Sequence, residues 1–338
     1  MSGGAHEEGG GGDGVSEADA PMTIKAIAPW FGGKRTLAPR IVAELGNHSQ
    51  YFEPFCGSMA VLMAKAPSQK ETVSDLHGDL TNLAKVISTP WLAEQLYERL
   101  IGTVMAEGLL DDAKEALEDV AALARITSEN PRPSVEERIA RAYWYFVASW
   151  MGRNGTAGTE RLDYQIAVRW TKSGGSPTVR FRNAVESLPA WHRRLLNVVI
   201  LQRDAFDIID RFEDDPATAI YADPPYAAET RSNVSSEQGQ KGGGGGRYLH
   251  EFKHGGGLFS GQDDHERLAK SLRSYKKARI VVSAYDCPRY RQLYDGWTFV
   301  DCSMLKLLHQ QNGRGQRAKE APEVLIINGP SLTGGWHA

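Results

Sequence analysis

The run Thr218-Ala219-Ile220-Tyr221-Ala222 leads straight into Asp223-Pro224-Pro225-Tyr226, and no other junction in the chain constrains the fold as tightly. Proline has no backbone N–H and is refused by helix interiors and central strands, so two in succession end whatever element precedes them. A short apolar run bounded by Pro216 on one side and this pair on the other reads as a buried strand. Average residue frequencies produce such a tetrapeptide by chance in roughly one chain per thousand, so chemistry is a better account of it than a Pro-rich turn. An acid at the C-terminal end of a buried strand stands where open α/β sheets hold their ligands.

The same grammar recurs upstream. Gln50-Tyr51-Phe52-Glu53-Pro54-Phe55 is a short apolar run that opens into Cys56-Gly57-Ser58, and helical spacing follows at Met59, Leu62 and Met63. A second strand over 71–75 ends on Asp75, and 79–88 reads as helix. Strand, loop, helix and strand in series are the pattern of a parallel α/β sheet. Residues 91–150 read as two or three helices, the long one over 135–151 carrying Tyr143, Trp144, Tyr145, Phe146 and Trp150 at a spacing that suits a core. Residues 151–197 break this regularity with Gly-Arg-Asn-Gly, Gly-Gly-Ser-Pro and scattered arginines, and read as an inserted, partly β region. Strands return at 198–203, 218–222 and 279–284, a helix over 263–277 starts from an Asp263/Asp264 N-cap, and 298–307 with 322–328 form a closing antiparallel pair. The stretch 227–261, with five glycines from Gly242 to Gly246, is expected to be a mobile loop. Residues 1–22 are expected to be a disordered, glycine-rich acidic tail.

A chain of 338 residues has room for one large domain with a sizeable insertion. Its formal net charge of −3 hides a strong asymmetry. Residues 1–22 hold Glu7, Glu8, Asp13, Glu17 and Asp19 and no Lys or Arg, whereas between Arg138 and Arg203 eleven Lys/Arg face three Asp/Glu, a local balance of +8. Such a segment fits a phosphate-bearing partner, and also fits a solvated basic face. The three cysteines, Cys56, Cys287 and Cys302, form no CxxC pair, which argues against a disulfide framework and a zinc cluster and fits a reducing cytoplasm. His48, His77, His192, His250, His254 and His265 lack metal-ligand spacing and read as surface or loop residues, so no metal is expected. No stretch of about 18 apolar residues is present, so no membrane span is expected.

Two further motifs flank the chemistry. In Phe52-Glu53-Pro54-Phe55-Cys56-Gly57-Ser58 a strand turns through small residues into a helix, which lets a ligand approach the backbone and a helix N-terminus. Asp75 lies twenty residues beyond Phe55, the offset at which an acid grips ribose hydroxyls in nucleotide-binding sheets. Pro29-Trp30-Phe31-Gly32-Gly33-Lys34-Arg35 sets two glycines beside an aromatic ring and a cation, a combination able to wrap an adenosine or the methionine end of a cofactor.

Together these residues resemble the DNA adenine methylase family, the Dam-like or D12 class of N6-adenine methyltransferases, over most of 24–328. That family runs from Trp-x-Gly-Gly-Lys through Phe-x-Glu-Pro-Phe-x-Gly and an acidic strand end to a recognition insertion and Asp-Pro-Pro-Tyr, and this chain shows the same order. The resemblance implies a Rossmann-like methyltransferase fold, an α/β domain with a mixed, mostly parallel sheet, over 23–90 and 198–330. A helical and irregular target-recognition insertion over 91–197 would interrupt it. It also implies that Trp30, Gly32, Gly33, Lys34, Phe52, Glu53, Pro54, Phe55, Gly57 and Asp75 line a pocket for S-adenosylmethionine, with Asp204-Ala205-Phe206 near the cofactor adenine. Asp223, Pro224, Pro225 and Tyr226 would act on a flipped base, and Arg153, Asn154, Arg161, Arg169 and Arg180 would contact double-stranded DNA. The segment Asp75-Leu76-His77-Gly78-Asp79 departs from the family's usual Asp-x-Asn-Pro-Asp.

The chemistry suits these residue types. The exocyclic amine of adenine is a weak nucleophile because its lone pair is delocalised into the ring. A carboxylate that accepts one N–H, beside a backbone carbonyl stiffened by proline, localises that lone pair, and an aromatic ring can stack on the extruded base. Methylation of cytosine N4 or of adenine in RNA uses the same amine chemistry, a DNA-binding protein without turnover keeps the same fold, and a nicotinamide-dependent oxidoreductase uses a similar one. The chain carries no GxxxxGK[ST] loop and no GxGxxG at a strand end. A monomer, with or without a partner restriction nuclease, would suffice for such an enzyme.

Overall fold

The computed structural model describes residues 24–30, 32–127, 133–152, 166–168, 175–226, 263–302 and 323–334. The tail 1–22 and the stretch 227–261 lie outside the described residues. Among the described residues, seven short strands, β1 (Gln50–Glu53), β2 (Lys70–Ser74), β3 (Val198–Leu201), β4 (Thr218–Ala222), β5 (Arg279–Tyr285), β6 (Thr298–Asp301) and β7 (Glu323–Ile327), form one sheet. Their order is β3-β2-β1-β4-β5-β7-β6. The first five pair in parallel, and β7 inserts antiparallel between β5 and β6. Every residue of β4 and β7 is buried, as expected for central strands covered on both faces.

Alternation along the strands builds two cores. Tyr51, Val73, Tyr221, Val281 and Leu325 point to one face, where α1 (Ala38–Leu45), α2 (Ala60–Ala64) and α3 (Gly78–Ser88) pack. Phe52, Ile220, Ile280, Val282 and Ile326 point to the other, covered by α10 (Ala205–Ile208), α11 (Asp264–Ser274) and α12 (Pro288–Leu293). The winding reverses between β1 and β4, and in open α/β sheets that reversal leaves a crevice beyond the C-terminal strand ends. Glu53-Pro54-Phe55 and Asp223-Pro224-Pro225 therefore flank one crevice.

The described residues of 90–151 form four helices where two or three were expected: α4 (Pro90–Ile101), α5 (Glu107–Glu118), α6 (Val120–Thr127) and α7 (Val135–Met151). The partly β reading of 151–197 is corrected for its described part, since α8 (Pro177–Glu186) and α9 (Leu188–Leu195) are helices. The one β feature described there is an isolated bridge from Gly152 to Ile166. The prolines that look like breakers sit in the first turns of α8 and α9, where the missing N–H costs nothing. Phe181, Ala184, Val185, Leu188, Trp191 and Leu195 then form the buried stripe. These helices share one core with Leu80, Leu83 and Ile87 of α3.

The long helix α7 opens on a capping box formed by Ser134 and Glu137. It buries Tyr145, Phe146 and Trp150, the core role its aromatic spacing predicts. Its Arg141 is buried against Asp79 of α3 and donates to the carbonyls of Ala116, Leu117 and Asp119, tying three helices together.

Candidate active site

The N-terminal segment reaches the sheet's C-terminal edge because its backbone is pinned there. The Ile27 N–H donates to Ser58 O, and the indoles of Trp150 and Trp191 donate to the carbonyls of Ile27 and Ile24. Gly32, at φ +69°, then turns the chain, and the Lys34 ammonium donates back to Gly32 O at 2.8 Å. Trp30 lies against the loop after β1: a Cβ at Gly57 would stand 2.8 Å from the indole Nε1, and Gly57 itself sits at φ +43°. Two independent constraints thus demand glycine at that position.

Asp75 links the two neighbouring loops. One carboxylate oxygen accepts from Gly57 N at 2.8 Å and the other from His77 N at 2.9 Å. His77 in turn N-caps α3 by accepting from Leu80 N, and its ring packs edge-on to Trp30 with centroids 5.4 Å apart. His77 stands in the loop before α3, as expected, but is buried there, and His265 is buried within α11 rather than a surface or loop residue. The reason is local: each ring fills a site with a specific partner, Leu80 N for His77 and the Tyr290 hydroxyl for His265.

The acidic centre forms around Lys34. Its ammonium is buried, 2.8 Å from Asp223 Oδ2, 3.6 Å from Glu323 Oε1 and 5.0 Å from the centroid of Tyr226. Tyr226 donates its phenol to Glu323 Oε1 at 2.9 Å, and Tyr285 lies edge-on to its ring at 4.6 Å. Burial raises the Asp223 carboxyl above its ordinary range, Lys34 opposes that rise, and the nearby Glu323 charge adds to it. Glu53 is buried too, accepts from the Tyr51 phenol at 2.8 Å, and is pushed up to about 8, chiefly by burial and further by the charge of Asp223. The site therefore holds more acid than base, with one carboxyl kept neutral at neutral pH.

Lys34, Glu53, Asp223 and Tyr226 meet in this centre, and Trp30, Gly57 and Asp75 meet beside it. Phe52 is fully buried with its ring stacked on Phe212, so it brings only backbone to the β1 loop, while Phe55 is partly buried against the core of the second face. Asp204 caps α10 by accepting from Phe206 N, and the Arg267 guanidinium lies over the Phe206 ring at 4.1 Å. Phe31, Arg153, Asn154, Arg161 and Arg169 lie outside the described residues. Arg180 donates to the carbonyls of Trp150 and Gly152 at the end of α7. Sequence reasoning missed Glu323, Tyr51 and Tyr285. A lone acid opening an otherwise apolar strand, Glu323-Val324-Leu325-Ile326-Ile327, was the available signal for the first.

The family model of the D12 class N6 adenine-specific DNA methyltransferase matches residues 30–305, a span that includes every element of the centre except β7. No curated protein matches the chain. An α/β sheet in this order, with Asp-Pro-Pro-Tyr at the winding reversal and that match over most of the chain, places the protein in the D12 class N6 adenine-specific DNA methyltransferase family, and it is an enzyme that methylates N6 of adenine in DNA.

Proposed function

We propose that the crevice between β1 and β4 receives S-adenosylmethionine on the Trp30–Gly57–Asp75 side and an extruded adenine on the Asp223–Tyr226 side. The observation that carries this reading is the Lys34–Asp223 contact at the end of β4, which brings the two sequence motifs to one point. The donor set fits the cofactor: an acid at the second strand end suits ribose hydroxyls, and the small loop at Gly57 admits a ligand close to the backbone. S-adenosylmethionine, when bound, supplies an electrophilic methyl group on a positively charged sulfur.

The rest is the work of this chain's residues. Asp223 accepts an N–H of the adenine amine and so localises its lone pair for attack. An N6 that has gained a methyl group carries a surplus proton, and the raised affinity of Asp223 for protons suits it to receive that proton. Pro224 and Pro225 stiffen the turn, and Tyr226 stacks on the base. The methyl donor is already activated, so alignment and a fixed electrostatic environment supply the acceleration.

The insertion 91–197 carries the basic segment and, in this reading, binds duplex DNA through Arg153, Asn154, Arg161, Arg169 and Arg180, in a reducing cytoplasm that leaves the three cysteines as thiols. Among the described residues no helix is long and apolar enough to cross a membrane. Transfer of labelled methyl from S-adenosylmethionine to unmethylated DNA, followed by nucleoside analysis, tests the whole reading. A labelled N6-methyladenine peak is expected. Label that appears only in cytosine, or only in RNA, would refute it.

A further inference from the structure

We propose that Glu323 is a positioning residue of the methyl-transfer site, holding Tyr226 by its phenol and Lys34 by its ammonium so that ring and cation stand in place around Asp223 before adenine enters. The inference rests on the functional reading above. Glu323 opens β7 and lies directly opposite Tyr285 of β5 in the antiparallel register. Both residues of that pair touch Tyr226, one through the phenol at 2.9 Å and the other edge-on at 4.6 Å. The ring is thus held by its hydroxyl, by one edge and by the ammonium 5.0 Å from its centroid. A side chain fixed this way surrenders no freedom when a base stacks on it.

The second half of the argument is charge. Glu323 is only 3% exposed, and a carboxylate stripped of water is costly unless it is paired. The ammonium 3.6 Å away provides that pairing and is shared with Asp223 at 2.8 Å. One cation between two acids has two resting places. When an amine N–H takes its place at Asp223, Lys34 keeps a counter-charge in Glu323, and Asp223 keeps its capacity to accept. With only Asp223 to pair, the ammonium would compete with adenine for that carboxylate.

Glu323→Gln in the full chain keeps the size and one acceptor oxygen and removes the charge. Single-turnover transfer to unmethylated duplex DNA, at saturating cofactor and DNA, should fall about thirtyfold, the scale of a lost charge-assisted hydrogen bond. Tyr226→Phe should lose about tenfold in the same step, and the double variant should be about as slow as Glu323→Gln alone, because coupled residues are not additive. A residue that merely fastened β7 would instead lower thermal stability, leave the rate per folded molecule unchanged and combine additively with Tyr226→Phe.

A second readout needs no activity. In protein carrying 3-fluorotyrosine, the fluorine resonance missing from Tyr226→Phe identifies Tyr226, and it should shift in Glu323→Gln. A wild-type rate in the Glu323→Gln variant, or in Tyr226→Phe should the former fail to fold, overturns the proposal. A resonance that stays in place overturns the contact itself. A wild-type chain that makes no N6-methyladenine overturns the functional reading, and a shifted resonance then still stands as proof of the contact.

Discussion

Two buried charge clusters sit at opposite ends of the sheet with opposite stoichiometry. At the start of β2, the single acid Glu71 accepts from two cations, Lys65 and Arg194. At the C-terminal end of β4, the single cation Lys34 is shared by two acids, Asp223 and Glu323. Burial alone would raise the carboxyl of Glu71, but its two cations outweigh burial and hold it below its ordinary value. At Asp223 burial wins, and the carboxyl is raised in spite of Lys34. The first cluster is closed and serves the fold. The second keeps more acid than base at the end of β4, where we propose that the adenine amine docks.

Breaking each cluster should have different consequences. Asp223→Ala should reduce single-turnover methyl transfer by at least about a thousandfold, the scale of losing a preorganised electrostatic partner, while cofactor affinity stays within a few-fold. A variant that still turned over near the wild-type rate would remove Asp223 from the mechanism. Glu71→Ala strands Lys65 and Arg194 in a buried site and should cost about 3–5 kcal/mol in denaturant unfolding, with the transfer rate per folded molecule unchanged. A larger loss of rate than of stability would dissolve the distinction between the two ends.

The pH dependence sharpens the same contrast. Asp223 must be ionised to accept an N–H, and its proton affinity is raised, so the transfer rate should fall with falling pH along a limb lying above the ordinary carboxyl value of 3.8. An acid limb at or below that value would show that the lysine, not burial, governs the site.

The smallest expected effect concerns Glu53. Unfolded, it loses its proton near 4.5; folded, it keeps the proton to about 8. Between those values the folded state binds more protons, so wild-type stability declines as pH rises through that window and levels off above it. Glu53→Gln carries no such penalty. Its Tm relative to wild type should climb across the window, by at least about 2 °C at pH 9, and a constant difference would place the ionised form of Glu53 in the fold at neutral pH.

Much of this was legible in the chain itself, because it depends on neighbours in sequence. Pro224-Pro225 stops β4 wherever β4 lies, and the alternation of Tyr51 and Phe52 sends the two side chains into separate cores. Element types were therefore readable at 50–55, 71–75, 79–88 and 279–284, and the order of the motifs pointed to the family. The errors had equally local causes. Pro177 and Pro189 look like breaks in isolation, yet they begin α8 and α9 because the apolar stripe behind them finds a core to bury in.

What the amino-acid sequence alone determined, then, is a set of short strands, the loops that end them, and the acids and glycines those loops present. Tertiary structure decided which of these meet. Glu323 stands a hundred positions after Asp223 and reaches it because β7 inserts antiparallel beside β5, a pairing chosen by burial of Val324, Leu325, Ile326 and Ile327 between neighbouring strands. Lys34 likewise becomes the shared cation of two acids because distant tryptophans anchor the segment before it. The proton affinities follow from that assembly as well, since desolvation and charge proximity are properties of a packed site and not of a residue.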